Sequence, residues 1–206
     1  MNNKPTPESS PHSSPLMPSP PPGTVPPPVV TTAILNGKAW VFGDDINTDI
    51  IIPFRFKSRT NDPNEMAKYA MYGIDPDFHK KIDKGDILVA GRNFGGGSSR
   101  EQAPLALQYA GISAIVAESF ARIFYRNAVD GGYLLPIEVE ESTMKRIDDK
   151  DELEIDVSQN KITNMTKNNE SYGMKPFPEL IARIVEAGGL MNFKYGTEEG
   201  KTRRNI

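Results

Sequence analysis

The segment richest in groups able to do chemistry is Gly91-Arg-Asn-Phe-Gly-Gly-Gly-Ser-Ser-Arg-Glu-Gln102. Three consecutive glycines let a backbone approach a ligand closely. A helix starting behind them would aim free N–H groups and a partial positive charge at the same space. Ser98, Ser99 and Arg100 add two hydroxyls and a guanidinium, so the segment reads as an anion site rather than only a tight strand-to-helix turn. A phosphate-binding Walker loop would need Lys before Ser98. A dinucleotide fingerprint would need glycine where Arg100 stands. The planar fork of arginine suits a carboxylate, which makes a small polycarboxylate the expected ligand.

Two further segments carry polar chemistry. Gly43-Asp-Asp-Ile-Asn-Thr-Asp49 packs three acids and an Asn into seven residues. It lacks the glycine and twelfth-position Glu of a calcium loop. It reads instead as a polar loop orienting groups around a site, or as an Asx-turn between two strands. Asp49 directly precedes the apolar run Ile50-Ile51-Ile52-Pro53 and is a candidate for a pocket mouth. Phe54–Thr60 (FRFKSRT) sets three cations among aromatics with no helix or strand period, either as an exposed basic loop or as one whose Lys57 or Arg59 reaches substrate.

The elements that must position these groups follow from pattern. Lys38–Phe42 predicts a short strand. Asp62-Pro63-Asn64-Glu65 predicts a helix start, with Asp as cap, Pro at the first turn and Glu at the third position, running to Tyr72. Asp86–Ala90 and Ser113–Ala117 read as buried strands. Between them Ser99 and Gln102 form a capping-box pattern for a helix ending before Gly111. Ser119 is expected to cap a helix with Phe120, Ile123 and Phe124 on one face and Arg122 and Arg126 elsewhere, ended by Gly131-Gly132. Tyr133–Val139 predicts a strand. Leu153, Ile155 and Val157 predict a half-exposed strand that turns at 158–161 into Ile162. Pro178 opens a last helix through Ala187. The centre is thus β-loop-α-β-α-β, which favours a parallel sheet with right-handed crossovers, and the flanks add antiparallel strands.

The chain has 206 residues, about one domain's worth. Eleven of its 18 prolines lie in residues 1–33, with five serines and only Lys4 and Glu8 charged. That stretch is expected to be a disordered tail resembling neither a secretory nor a transit signal, so a cytoplasmic location is expected. Residues 34–200 form the expected α/β domain, and 201–206 a frayed end. With no run of ~18 apolar residues, no membrane span is expected. The net charge of −3 gives no broad case for nucleic acid. The chain contains no cysteine, and its two histidines are His12 and His79. Thiolate metal sites, cysteine nucleophiles and disulfides within the chain are therefore excluded, and an iron–sulfur cluster would need ligands from elsewhere.

The three polar segments, in this order, together with Ala117-Glu-Ser-Phe-Ala-Arg-Ile-Phe-Tyr-Arg-Asn127, Gly132 and Leu135-Pro136, resemble the small subunit of 3-isopropylmalate dehydratase, the swivel domain of the aconitase superfamily. The resemblance spans roughly residues 34–192 and implies a three-layer α/β fold. It also implies a hydro-lyase of the leucine-biosynthesis type that isomerises a hydroxy acid by dehydration and rehydration. This chain would bind no cofactor, and a separate large subunit would carry a [4Fe–4S] cluster. The pair would be a heterodimer or heterotetramer, and the chain alone a homo-oligomer. By the family pattern Ser98 would be the base, with Arg100 beside it. Arg100, Ser99 and Arg59 would bind carboxylates, while Thr48 and Asp49 would complete the wall, with Gly97 and Lys57 also at the substrate. Gly96 stands where the family usually has Cys, and Gln102 where His is common. A loop with Lys57 and Arg59 would suit a further carboxylate, as in homoaconitate or citrate-like acids. A non-catalytic carboxylate- or protein-binding module on the same fold is the alternative of another class.

Overall fold

The computed structural model describes residues 34–98 and 100–193. The expected tail at 1–33 and the expected frayed end at 201–206 lie outside the described residues. One seven-stranded sheet forms the middle layer, in the order β4-β3-β2-β1-β5-β6-β7. The strands are β1 (Ile34–Val41), β2 (Ile87–Ala90), β3 (Ala114–Ala117), β4 (Leu135–Glu138), β5 (Glu152–Asp156), β6 (Lys161–Asn164) and β7 (Glu170–Gly173). β1 to β4 pair in parallel, through Trp40↔Leu88, Leu88↔Ile115 and Ile115↔Pro136. β5, β6 and β7 continue antiparallel from the other edge of β1.

The central parallel strands β2 and β3 are apolar throughout because both faces are covered. Alternate residues feed two cores. Trp40, Leu88, Ala90, Ile115 and Ala117 point to one face, against α4 (Gln102–Ala110) and α5 (Arg122–Asp130) through Ala103, Ala106, Leu107, Phe124 and Ala128. Ala39, Ile87, Val89, Ala114, Val116, Leu135 and Ile137 point to the other, where Met144 of α6 (Glu141–Met144) and Val185 of α7 (Glu179–Glu186) meet them. This is the expected three-layer α/β arrangement.

Several expected elements need correction. The strand read as Lys38–Phe42 begins at Ile34, because its first half pairs with β5. The helix at Asp62 starts as expected, with the Asp62 carboxylate accepting from Asn64 N at 2.9 Å. However, α3 covers only Pro63–Ala67 before turns carry the chain to Tyr72. Ser119 does not cap α5. Its hydroxyl accepts from Asn93 N at 3.0 Å, and Ala121 holds the cap position with no side-chain hydrogen bond. The cap position of α4 belongs to Glu101, also without a side-chain bond. β4 covers only Leu135–Glu138 of the segment read as a strand.

Candidate functional site

The site grows from the adjacency of β1 and β2. Beyond their C-terminal ends the two chains stay side by side in a backbone ladder. Phe42 N donates to Val89 O (2.8 Å), Asp45 N to Arg92 O (2.8 Å), Gly95 N to Ile46 O (2.7 Å) and Thr48 N to Gly96 O (2.8 Å). Side chains clamp the ladder. The Asp44 carboxylate accepts from Arg92 N, Nε and Nη2 at 2.8, 3.2 and 2.7 Å. Asn93 Nδ2 donates to Asp45 at 2.9 Å. The three acids that invited a calcium reading are therefore spent on ties: Asp44 to Arg92, Asp45 to Asn93, and Asp49 as described below.

The glycine loop rests on an aromatic platform. Phe94 is fully buried, edge-on to Phe120 and Phe124 with centroids 6.0 and 5.2 Å away. Gly95 adopts φ +79°, and a Cβ there would lie 2.1 Å from the Phe124 ring, so only glycine allows this approach. Gly96 is under no such constraint, since the nearest atoms to a Cβ there belong to Asn93, its Nδ2 at 3.1 Å and its backbone oxygen at 3.5 Å.

The Asp49 segment is not an extended turn. Asn47 Oδ1 accepts from Asp49 N (3.0 Å) and Ile50 N (2.9 Å), capping a single helical turn, α1 (Thr48–Ile51). Ile51 and Ile52 are fully buried, which pins Asp49 at the rim. The segment without period contains another short turn, α2 (Phe54–Lys57).

These turns bring most of the expected residues together. The Arg100 guanidinium, 9% exposed, makes a bidentate pair with Asp49 at 2.5 and 3.1 Å. Asp49 also accepts from Phe54 N at 3.3 Å. The guanidinium beside it holds the Asp49 carboxyl below its ordinary pKa, against the opposing effect of burial. The Phe54 ring lies 5.7 Å from the Arg100 guanidinium and 5.3 Å from Lys57 Nζ. Burial, then repulsion from Arg100, lowers the Lys57 pKa. Thr48 is buried and its hydroxyl donates to Ser98 O at 3.5 Å. Gly97 (φ +100°) and Ser98 are exposed at the end of the loop, and the Ser98 hydroxyl makes no hydrogen bond among the described residues. Ser99 lies outside the described residues. Arg59 is exposed, and its side chain makes no hydrogen bond or ion pair among the described residues, so no contact ties it to this cluster.

Sequence reasoning missed the other side of the loop. A cavity of about 560 Å³ is lined by Gly95, Gly97, Ala121, Arg122, Ile123 and Arg126. Ile123, expected on a packed face with Phe124, is 42% exposed there. The spacing of Arg122 and Arg126, four apart, is the one sequence signal that could have pointed to it. The chain has no cysteine, and the described residues contain no group of three or more His, Asp or Glu placed to hold a metal ion.

An aconitase C-terminal domain model matches residues 47–142, which hold both ladder segments from Asn47 onward and both site helices. The 3-isopropylmalate dehydratase small subunit of Caldicellulosiruptor saccharolyticus is 50% identical over 163 residues, 79% of this chain and 92% of the relative. The methanogen homoaconitase small subunit of Methanothermobacter thermautotrophicus is 51% identical over 161 residues, 77% of this chain and 89% of the relative. A crystal structure of 3-isopropylmalate dehydratase from Methanocaldococcus jannaschii superposes with a TM-score of 0.71 at 47% identity, covering 77% of this chain and 92% of that one.

Proposed function

The chain belongs to the family of 3-isopropylmalate dehydratase small subunits, and from this we propose that it works with a separate large subunit as a hydro-lyase, isomerising a hydroxy dicarboxylic acid by dehydration and rehydration. The observation that carries the reading is an exposed serine hydroxyl, with no hydrogen bond among the described residues, at the end of a glycine loop whose next arginine is buried and oriented by a bidentate carboxylate. Location in the cytoplasm belongs to the same proposal. No helix of the described residues is long and apolar enough to cross a membrane.

In this reading Ser98 Oγ takes the proton from the carbon beside a substrate carboxylate. A serine hydroxyl is a poor base unless its anion is stabilised. One charge-assisted hydrogen bond contributes about 1.5–3 kcal/mol, or about one to two pKa units. Several must therefore converge. The Arg100 guanidinium and the N-terminal end of α4, which has no side-chain cap, supply positive potential beside the loop. Closure by the large subunit excludes the water that would screen them. Arg100, Ser99 and Arg59 take substrate carboxylates, Thr48 and Asp49 hold the loop and the arginine, and Gly97 leaves room beside the serine. Lys57 adds a cation at the rim. A [4Fe–4S] cluster, which supplies Lewis-acid chemistry when bound, does not fit this chain, and its ligands belong to the large subunit.

Homoaconitate is the second substrate reading. The cationic segment at 54–60 and the 51%-identical homoaconitase small subunit favour it. The test is anaerobic reconstitution with a cluster-loaded large subunit and a substrate panel. Ser98→Ala should abolish turnover and leave complex formation intact. Full residual activity refutes the assignment of the base.

A further inference from the structure

The Arg100–Asp49 pair is close to neutral as a unit, because both outer nitrogens of the guanidinium are taken by the carboxylate. A dicarboxylic acid brings two negative charges to this loop, so the remaining attraction must come from cations that are not already paired. On the side of α1 and α2, Lys57 Nζ lies over the Phe54 ring at 5.3 Å, and the exposed Arg59 side chain makes no hydrogen bond or ion pair among the described residues. The α5 side of the loop carries two further cations. Arg122 makes no hydrogen bond or ion pair among the described residues, and Arg126 has only a loose contact with Asp130 at 4.0 Å. One turn apart on α5, both residues line the cavity beside Gly95 and Gly97.

The rest of that wall is apolar: two glycines, Ala121 and Ile123. The first turn of α5 adds N–H groups without a side-chain cap, since Ala121 provides none. The space is a cleft open to solvent, with a volume of about 560 Å³. Gly97 separates this cavity from Thr48, whose hydroxyl lies 3.3 Å from the position of a Gly97 Cβ. Ser98 is the next residue, so the exposed hydroxyl is flanked by the Arg100 side and the α5 side of the same loop.

We infer that this cavity is a carboxylate subsite, in which Arg122 and Arg126 take the second acid group of the substrate while Ile123 and Ala121 meet its apolar part. The inference rests on the dicarboxylate reading above and adds binding residues to it.

The test uses the full chain reconstituted with its large subunit, comparing Arg122→Gln, Arg126→Gln and the double variant. Both positions are exposed helix surface, so the fold should tolerate the changes. For Arg122→Gln the loss should fall mainly on KM for 3-isopropylmalate, which rises about ten-fold, the equivalent of ~1.4 kcal/mol. The double variant should lose more, with the affinity between subunits unchanged. An unchanged KM in the double variant overturns the inference. Weakened subunit association at unchanged KM also overturns it, and assigns the arginines to an acidic side chain of the large subunit. A second readout is independent of turnover: the Ile123 methyl resonance of the chain alone, titrated with 3-isopropylmalate. A shift in the wild type that disappears in the double variant supports the subsite, and no shift in the wild type refutes it. If the reconstituted complex shows no isomerase activity, the functional proposal fails while this titration still decides the subsite.

Discussion

Replacing Asp49 with Asn keeps its shape and removes the charge that orients Arg100. Removing one partner of a fully buried ion pair costs about 3–5 kcal/mol, because the other charge is left unpaired. Here the Arg100 side chain is 9% exposed but that of Asp49 is 61% exposed, so water screens the pair and the loss reduces to about 1–2 kcal/mol. Urea unfolding at pH 7 should show that difference between Asp49→Asn and the wild type. The pH dependence has a definite sign. The guanidinium lowers the folded-state pKa of Asp49 below its unfolded value of about 3.9. Its contribution is therefore fully present above that value and is lost as the pH falls through the folded-state pKa. The two proteins should converge in strong acid and differ equally at pH 5 and pH 7. In the reconstituted enzyme a loosened Arg100 should lower kcat by about ten-fold, roughly 1.4 kcal/mol. KM should not rise, since an unneutralised guanidinium binds the ground-state carboxylate at least as well. Unfolding identical to wild type at pH 7, or a raised KM with kcat unchanged, would refute the claim that Asp49 acts by holding Arg100.

Neighbouring glycines should respond very differently to one methyl group. Gly95→Ala drives a Cβ into the Phe124 ring at a positive φ and should cost about 3 kcal/mol or more, read as a fall in Tm. Gly96→Ala needs only a small shift of Asn93 and should stay within about 1 kcal/mol of the wild type. Asp86 is buried and accepts from Trp40 Nε1 (2.7 Å), Asp83 N (2.9 Å) and Lys38 N (3.3 Å). Asp86→Ala strands these donors and should cost about 3–5 kcal/mol, followed through the fluorescence of the single tryptophan, with Asp86→Asn losing less.

Much of this molecule is local in origin and so was legible in the chain. The apolar runs at Ile87–Ala90 and Ala114–Ala117, separated by helical spacing and glycine stops, specify a parallel core. Gly188-Gly189 after α7 takes positive φ values, as a helix stop requires. The glycine–serine–arginine block offered groups able to hold an anion by residue type alone. Periodicity failed at α1 and α2, because a four-residue turn is too short to display it.

Tertiary structure decided which polar groups meet. Asp44 reaches Arg92 across 48 residues and Asp49 reaches Arg100 across 51, and neither pairing has a local signature. Both depend on β1 leaving its antiparallel partner β5 to lie parallel beside β2, so that the loops after both strands emerge together. The same packing took Ser119 from its expected capping role to hold Asn93, and turned Ile123 outward to the cavity. Residue types set what chemistry the loop can offer. The sheet order sets which side chains share that loop, because only the closed fold brings distant strand ends within hydrogen-bonding distance.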